Sequence, residues 1–257
     1  MTHPLRFLDV NCCIGPYYDP PEGHDWSLAG LVAKMDELGI AEACPAATLG
    51  RDYDPWQANE WLLANAPPSA RIHPAWTVAT HHTGEFPPPQ ELVAAMRREG
   101  VRLLRLFLFS TAFHDRLDLP LFGELFDALA EHRVPLLVDS SDPLQLHAAD
   151  LEPVIEGWPD MPLILSLPKV VQNERWLYYL WERYGNLYLD LPGYQVLGGI
   201  AAIVRRFGGG RLLYGSRYPF FTPLQTMLQL IYSEVDDTVK RDIAGDTARR
   251  LLREVRL

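Results

Sequence analysis

Three charged residues stand in strand-like segments of the sequence, where burial without a partner would be costly. Arg217 follows the apolar run "RLLYGS", Arg105 lies within "VRLLRLFLF", and Asp139 ends "VPLLVD". A guanidinium group presents its donors in a planar fork that matches a carboxylate or a phosphate. Because an isolated buried charge is strongly unfavourable, we expect Arg217 to pair with Asp139. This pair either fills the site as a structural salt bridge or, together with Arg105, binds an anionic substrate.

Cys13 and His114 are candidates for nucleophilic and proton-transfer chemistry. A neighbouring arginine would stabilise a Cys13 thiolate and make it a nucleophile, whereas the alternative is a small buried thiol. His114 lies in "STAFHDR", the loop after the fourth predicted strand, where its side chain can overhang a pocket and transfer a proton. His81 and His82 in "ATHHTGE" are adjacent on a loop, a pattern that is typical of solvated histidines.

The elements that must position these residues alternate along the whole chain. Short β-rich runs are separated by longer segments of helical period, which indicates βα units around a parallel sheet. The predicted strands are "RFLDV", "IAEAC", "RIHPAWTV", "VRLLRLFLF", "VPLLVD", "MPLILSL", "NLYLDL" and "RLLYGS". About 250 residues in eight repeats are typical of a closed barrel, whose active site forms at the carboxyl ends of the strands. We therefore predict an α/β fold, a (β/α)8 TIM barrel, with an open doubly wound sheet as the alternative.

Residues with known preferences for helix ends support this assignment. A capping residue or a proline stands at four predicted helix starts, and a glycine follows three predicted helix ends. The starts are Ser27, Pro55, Pro88 and Thr222, and the glycines are Gly39, Gly100 and Gly185. The aromatic segment "RWLYYLWERY" has helical spacing, and we expect it to pack on the sheet or to form a homodimer contact.

Composition limits the classes of function. The 257 residues carry a net charge of -10, which disfavours binding to nucleic acids or anionic membranes, and we expect neither partner. The chain begins without a charged segment and long apolar run, so we expect no secretory signal and a cytoplasmic protein. Three cysteines, two of them adjacent, argue against a disulfide framework. We expect one domain over residues 1–257.

Several segments together resemble the amidohydrolase-related family (amidohydrolase 2) of metal-dependent hydrolases and decarboxylases. These segments are "FLDVNCCIGP", "MDELGIAEA", "VPLLVD", "NLYLDLPGY", "RLLYGSRYP" and the closing "IAGDTARRLL", and the resemblance covers nearly the whole chain. It implies a barrel with hydrolase or carboxy-lyase activity. In that family the first strand ends in His-x-His, the fifth and sixth strands each supply a histidine, and the eighth ends in Gly-Ser-Asp.

This sequence departs from the family pattern at every one of those positions. They are occupied by Asn11 and Cys13, Asp139, Ser166 or Leu167, and Arg217. A catalytic zinc prefers imidazoles and a carboxylate, and two like unit charges at ~4 Å cost ~4 kcal/mol even at an effective dielectric constant of ~20. We therefore predict a divergent member with a degenerate metal site, no catalytic metal and no cofactor, in which Arg217 supplies the positive charge.

The leading hypothesis is a hydrolase or lyase that acts without a metal on a small carboxylate-type substrate. In it, Arg217 and Arg105 bind the anion, Asn11 and Ser166 line the substrate site, and Asp139, Cys13 or His114 moves a proton. One alternative is a catalytically silent barrel that binds a small molecule. The second alternative is a metal-dependent hydrolase with atypical ligands.

Overall fold

The computed structural model describes residues 5–17, 23, 25–108, 117, 119–140, 146–167 and 174–257. Eight strands lie at the eight predicted places. They are β1 (Phe7–Ile14), β2 (Ile40–Ala47), β3 (Ala75–Thr77), β4 (Leu103–Leu108), β5 (Leu136–Ser140), β6 (Leu163–Ser166), β7 (Leu187–Asp190) and β8 (Leu212–Leu213). The first strand continues beyond its predicted end and includes both adjacent cysteines.

The strands pair in parallel in chain order, and two further contacts close the ring. Strand β1 pairs with β2, and β3 to β8 form a continuous six-stranded sheet. An isolated parallel bridge joins Ala43 to Ile72, and another joins Cys12 to Tyr218. The backbone N–H of Val10 also donates to the Tyr214 carbonyl at 3.1 Å. The fold is therefore the predicted (β/α)8 barrel, and the open doubly wound sheet is excluded.

Helices follow the strands and cover the outside of the barrel. They are α1 (Leu28–Leu38), α2 (Leu49–Asp52), α3 (Pro55–Asn65), α4 (Pro89–Glu99), α5 (Leu119–Glu131), α6 (Ala148–Gly157), α7 (Glu174–Trp181), α8 (Gly199–Phe207), α9 (Pro223–Ile231), α10 (Asp237–Arg241) and α11 (Thr247–Glu254). The Ser27 hydroxyl accepts from the Gly30 N–H at 3.2 Å and starts α1, while Gly39 ends it with φ 74°. Within the described residues, no helix combines the length and apolar character needed to span a membrane.

Helix α7 carries part of the aromatic segment. Its buried residues are Leu177, Leu180 and Trp181, whereas Tyr179 is exposed. The Tyr179 hydroxyl donates to Glu152 at 2.8 Å. This helix therefore packs on its own chain, and a homodimer contact stays a prediction.

The barrel interior has an apolar layer with a polar layer above it. Because side chains alternate along a strand, a residue two positions after an inward-facing one also faces inward. The interior apolar cluster includes Leu8, Leu103, Leu137, Ile164, Tyr188 and Leu213. Two residues further along four of these strands stand Arg105, Asp139, Ser166 and Asp190. These four buried polar residues form the layer nearest the carboxyl ends of the strands.

Strand β3 is only three residues long, and a side chain from α3 completes its hydrogen bonding. Asn59 donates through Nδ2 to the Thr77 carbonyl at 2.8 Å and accepts the Thr77 N–H on Oδ1 at 2.7 Å. Asn59 is almost fully buried. The amide thus satisfies two backbone groups that a longer strand would pair.

We expect Asn59→Ala to lower the free energy of unfolding by about 2–3 kcal/mol, because it leaves a buried N–H and a buried C=O without partners. Asn65→Ala, in the exposed last turn of the same helix, is the matched control and should change it by less than about 0.5 kcal/mol. Urea unfolding followed by far-UV circular dichroism measures both. Equal effects of the two substitutions would show that the Asn59 contacts are unimportant.

Candidate anion-binding site

Asp139 lies between two guanidinium groups at the carboxyl end of the barrel. Its Oδ2 accepts from Arg105 Nη2, and its Oδ1 accepts from Arg217 Nη2. Only 6% of the Asp139 side chain is exposed, against 4% for Arg105 and 12% for Arg217. Burial by itself raises the pKa of Asp139, but the charges of Arg217 and Arg105 outweigh it and hold that pKa below its ordinary value. Asp139 is therefore an ionised carboxylate, and the predicted pair is in fact a triad.

Arg105 is held from three sides. Its Nη1 donates to the Cys12 carbonyl at 3.3 Å and to Cys13 Sγ at 3.2 Å. Its guanidinium carbon lies 4.5 Å from the centre of the Phe107 ring, which is a favourable cation–π distance. Its Nε has no hydrogen-bond partner among the described residues. With most of its donors engaged, Arg105 serves mainly to hold Asp139.

Arg217 is the more accessible cation of the triad. Its backbone adopts the left-handed conformation, with φ 56°, which is uncommon for a residue other than glycine. Two backbone hydrogen bonds hold it there, since its N–H donates to the Asn11 carbonyl at 2.7 Å and its carbonyl accepts from Phe221 at 3.2 Å. Of its side-chain nitrogens, only Nη2 contacts an acceptor within the described part of the chain. Its Nε and Nη1 have no acceptor among those residues.

A third arginine adds positive potential. Arg51 lies in α2, just after β2, and its guanidinium carbon lies 5.2 Å from the centre of the Phe220 ring. Its charge helps to lower the pKa of Asp139 and opposes the rise in the pKa of Cys13. Arg51 is partly exposed, and no local pattern of residues predicts its position beside the triad.

Asn11 and Ser166 lie beside the triad and contact each other. Asn11 Nδ2 donates to Ser166 Oγ at 2.7 Å and also to Asp190 Oδ2. The structure thus brings together two residues that were predicted to line the substrate site. A side chain at position 215 would not fit here, because a Cβ atom on Gly215 would lie 2.9 Å from both Asn11 Cβ and Asp190 Oδ2.

Two buried carboxyl groups next to the triad, those of Asp190 and Asp9, were not among the site residues predicted from the sequence. Burial raises the pKa of Asp190 to about 7, although hydrogen bonding and the charge of Arg217 oppose the rise. Burial likewise raises the pKa of Asp9 to about 6, against its hydrogen bonds with Ser216 and Asn11. Asp9 accepts the Ser216 N–H at 2.9 Å and thereby ties the end of β8 to β1.

The sequence pattern predicts an inward-facing side chain for Asp190 but not for Asp9. Asp190 ends "NLYLD" as Asp139 ends "PLLVD", so strand alternation alone predicts that both face inward. For Asp9 the alternation is misleading, because the pairing of β1 with β2 shifts register between Asp9 and Cys12. Such an irregularity changes which side chains face inward.

Of the two remaining candidate residues, Cys13 lies within the described residues and His114 does not. Burial raises the pKa of Cys13, and the charge of Arg105 offsets only part of this. This environment favours the neutral thiol, so the geometry does not support the thiolate required for a nucleophilic Cys13. His114 lies outside the described residues. His81 lies 3.6 Å from the exposed Glu124, in keeping with a solvated loop.

The residues at the family's ligand positions do not fit a catalytic metal. Asn11 turns its amide nitrogen, not its oxygen, toward the neighbouring acceptors, and both oxygens of Asp139 accept from arginines. Cys13 Sγ accepts from the other terminal nitrogen of Arg105, Nη1. Within the described residues, no group of three or more His, Cys, Asp or Glu side chains is arranged to hold a metal ion.

A closed parallel barrel with a polar layer at its carboxyl end defines the class of protein. Comparison with family models adds the family, since the model described as amidohydrolase matches residues 18–253. The chain belongs to the amidohydrolase family. The match begins after β1, the strand that holds Asn11 and Cys13. Comparison with curated proteins finds no match.

Solved structures with the same fold cover almost the whole chain. An uncharacterized TIM-barrel protein from Bordetella bronchiseptica is 17% identical, with a TM-score of 0.73 over 97% of this chain and 99% of its own. A 2,6-dihydroxybenzoate decarboxylase complexed with 2,6-dihydroxybenzoate is 15% identical, with a TM-score of 0.74 over 97% and 99%. A manganese-bound 5-carboxyvanillate decarboxylase from Novosphingobium aromaticivorans is 15% identical, with a TM-score of 0.71 over 97% of each chain.

The triad predicts unequal effects on stability. Arg105→Met should lower the free energy of unfolding by about 3–5 kcal/mol, because it removes one partner of a buried ion pair and leaves the other charge uncompensated. Arg217→Met should cost less, since Asp139 keeps its contact with Arg105 and Arg217 is more exposed. The double replacement Arg105→Met with Asp139→Leu should restore part of the free energy of unfolding that Arg105→Met removes, because it also removes the uncompensated carboxylate. Urea unfolding measures all three, and a larger loss for Arg217→Met than for Arg105→Met would contradict the assignment.

The carboxyl groups of Asp9 and Asp190 predict that stability falls as pH rises. Their pKa values in the folded protein, about 6 and about 7, lie above the ordinary value of 3.8. Folding therefore favours the protonated forms, and this contribution is complete below pH of about 4 and is lost as pH rises through about 6 and about 7. We expect the free energy of unfolding to decrease from pH 5 to pH 8 and Asp190→Asn to reduce that decrease. An increase over this range in the wild type would refute the prediction.

Proposed function

We propose that this chain is a hydrolase or lyase of the amidohydrolase family that acts on a small carboxylate-type substrate without a catalytic metal. The observation that carries the proposal is the position of Arg217. Its charged side chain lies at the carboxyl end of the barrel, pairs with Asp139, and keeps Nε and Nη1 without partners among the described residues. Either donor can form a charge-assisted hydrogen bond to a carboxylate oxygen.

The three arginines divide the work in this proposal. Arg105 fixes Asp139, which in turn orients Arg217 through a charge-assisted hydrogen bond. Arg217 binds the substrate carboxylate, and Arg51 adds positive potential from the rim. Asn11 and Ser166 lie where they contact the part of the substrate that enters deepest. A fixed cation in a site of low dielectric stabilises anionic states without the reorganisation that water would require.

The structural neighbours support a carboxylate as the substrate. Both decarboxylases named above act, by their names, on aromatic carboxylic acids, and one structure contains 2,6-dihydroxybenzoate. At 15% identity these likenesses show the fold alone, so the substrate class depends on the arginines. One neighbour contains manganese, whereas the corresponding charge in this proposal comes from guanidinium groups.

A second candidate is a barrel that binds a small anion without turnover. Asp139 already compensates much of the charge of Arg105 and Arg217, as in a purely structural cluster. The nucleophile hypothesis for Cys13 also lacks a thiolate. Turnover of esters, lactones, amides or aromatic acids separates an enzyme from a binder, because both bind the anion but only the enzyme releases product.

Anion binding is tested with benzoate as the probe and benzamide as its uncharged counterpart. Wild-type protein should bind benzoate and not benzamide, and Arg217→Met should weaken benzoate binding by about 10- to 100-fold, as expected for the loss of a charge-assisted hydrogen bond. Arg253→Met is the matched control, because Arg253 is exposed in α11 and outside the site. Isothermal titration calorimetry measures the affinities. Equal affinities of the Arg217 and Arg253 variants would exclude the proposed site.

Metal content is a separate test. We expect protein purified without chelator to contain well under one equivalent of zinc, manganese or iron. At the ligand positions, Asn11 donates to Ser166, while Asp139 and Cys13 accept from arginines. Arg217 occupies the remaining position. Elemental analysis by mass spectrometry measures this. A stoichiometric metal whose removal by chelator abolishes benzoate binding or turnover would establish the metal-dependent alternative.

A further inference from the structure

Asp190 has a carboxyl oxygen that no described residue uses. Its Oδ2 accepts from Asn11 Nδ2, whereas its Oδ1 is buried without a hydrogen-bond partner among the described residues. The side chain is fully buried at the end of β7. A buried carboxylate oxygen without a donor is unfavourable, but the same oxygen in a protonated carboxyl group is itself a donor. This arrangement suits a group that changes its protonation state.

The hydrogen bond to Asn11 determines which oxygen carries the proton. Because Asn11 Nδ2 donates to Oδ2, that oxygen remains an acceptor, and the proton is placed on Oδ1. Asn11 Oδ1 is likewise buried and without a partner in the described part of the chain. The two unpartnered oxygens lie near the triad, in the polar layer at the carboxyl end of the barrel.

Charged groups on several strands face Asp190. Arg217, after β8, lowers its pKa, and Asp139, on β5, raises it. Arg105, on β4, is also close enough for the two charges to interact. The neutral neighbours are Asn11 on β1, which donates to Oδ2, and Ser166 on β6, and both lower the pKa of Asp190. Burial outweighs these effects and raises the pKa to about 7, so that both forms are populated near neutral pH.

We propose that Asp190 takes up a proton when a carboxylate binds to Arg217, so that binding of the anion and protonation of Oδ1 are coupled. The inference rests on the proposed function, because it requires the anion to bind at Arg217. A bound carboxylate offsets the positive charge of Arg217 and adds a negative charge near Asp190, and both effects favour the protonated form. The proton comes from solvent and forms an O–H bond at Oδ1, and no other bond changes.

Calorimetric titration with benzoate at pH 7.5, in buffers of different ionisation enthalpy, counts the protons taken up on binding. Wild-type protein should take up a substantial fraction of one proton, and its dissociation constant should rise about tenfold from pH 6.5 to pH 8.5. Benzoate itself stays ionised over this range, so the proton count reports on the protein. Asp190→Asn keeps the shape of the protonated form and should abolish both the uptake and the pH dependence.

Asp9→Asn is the matched control. Asp9 is also buried with a raised pKa, but Ser216 and the Asn11 N–H donate to its two oxygens. This variant should keep the proton uptake of the wild type. If Asp190→Asn does not fold, Asp190→Ser takes its place, and near-UV circular dichroism establishes that each variant is native.

The possible outcomes distinguish the role of Asp190 from the proposed function, which is anion binding at Arg217. Benzoate that binds through Arg217 without proton uptake, or with equal uptake in wild type and Asp190→Asn, overturns the role of Asp190 and leaves the proposed function intact. Loss of uptake in Asp9→Asn but not in Asp190→Asn assigns the proton to Asp9 and also overturns the inference. Benzoate that binds equally well to wild type and Arg217→Met overturns both.

Discussion

The carboxylate of Asp139 links several structural elements at the carboxyl end of the barrel. It accepts from Arg105 on β4 and from Arg217 beyond β8, so a single anion joins elements on different sides of the ring. Two guanidinium groups this close would repel each other strongly in a site of low dielectric constant. With Asp139 between them, the three groups carry one net positive charge. The anion site that we propose therefore includes a carboxylate of the protein itself.

The apolar layer beneath the triad explains why these charges are effective. Leu103, Leu137 and Tyr188 fill the barrel directly below Arg105, Asp139 and Asp190. This packing excludes water from one side of the polar layer, so charge interactions there are stronger than at an open surface. The same exclusion raises the pKa of Asp190 while leaving Asp139 ionised. Two aspartates at equivalent strand positions thus differ because only one contacts two arginines.

Much of this arrangement could be predicted from the sequence. The eight strands followed from alternation, and the contact of Arg217 with Asp139 followed from the cost of an unpaired buried charge. Asp9 could not be placed, because the register shift in β1 is a property of strand pairing and not of local pattern. Arg51 reaches the site from a short helix, and the environment of Cys13 depends on burial by distant segments. These features arise from tertiary packing, which periodicity does not encode.

The left-handed backbone conformation at Arg217 bears on which side chains this position can carry. The conformation at this position is fixed by hydrogen bonds of its own N–H and C=O groups, to Asn11 and from Phe221. Aspartate and asparagine tolerate this backbone conformation better than most residues, so the loop can present either an anionic or a cationic side chain from the same backbone path. One codon change can then invert the polarity of the pocket while the scaffold keeps its trace.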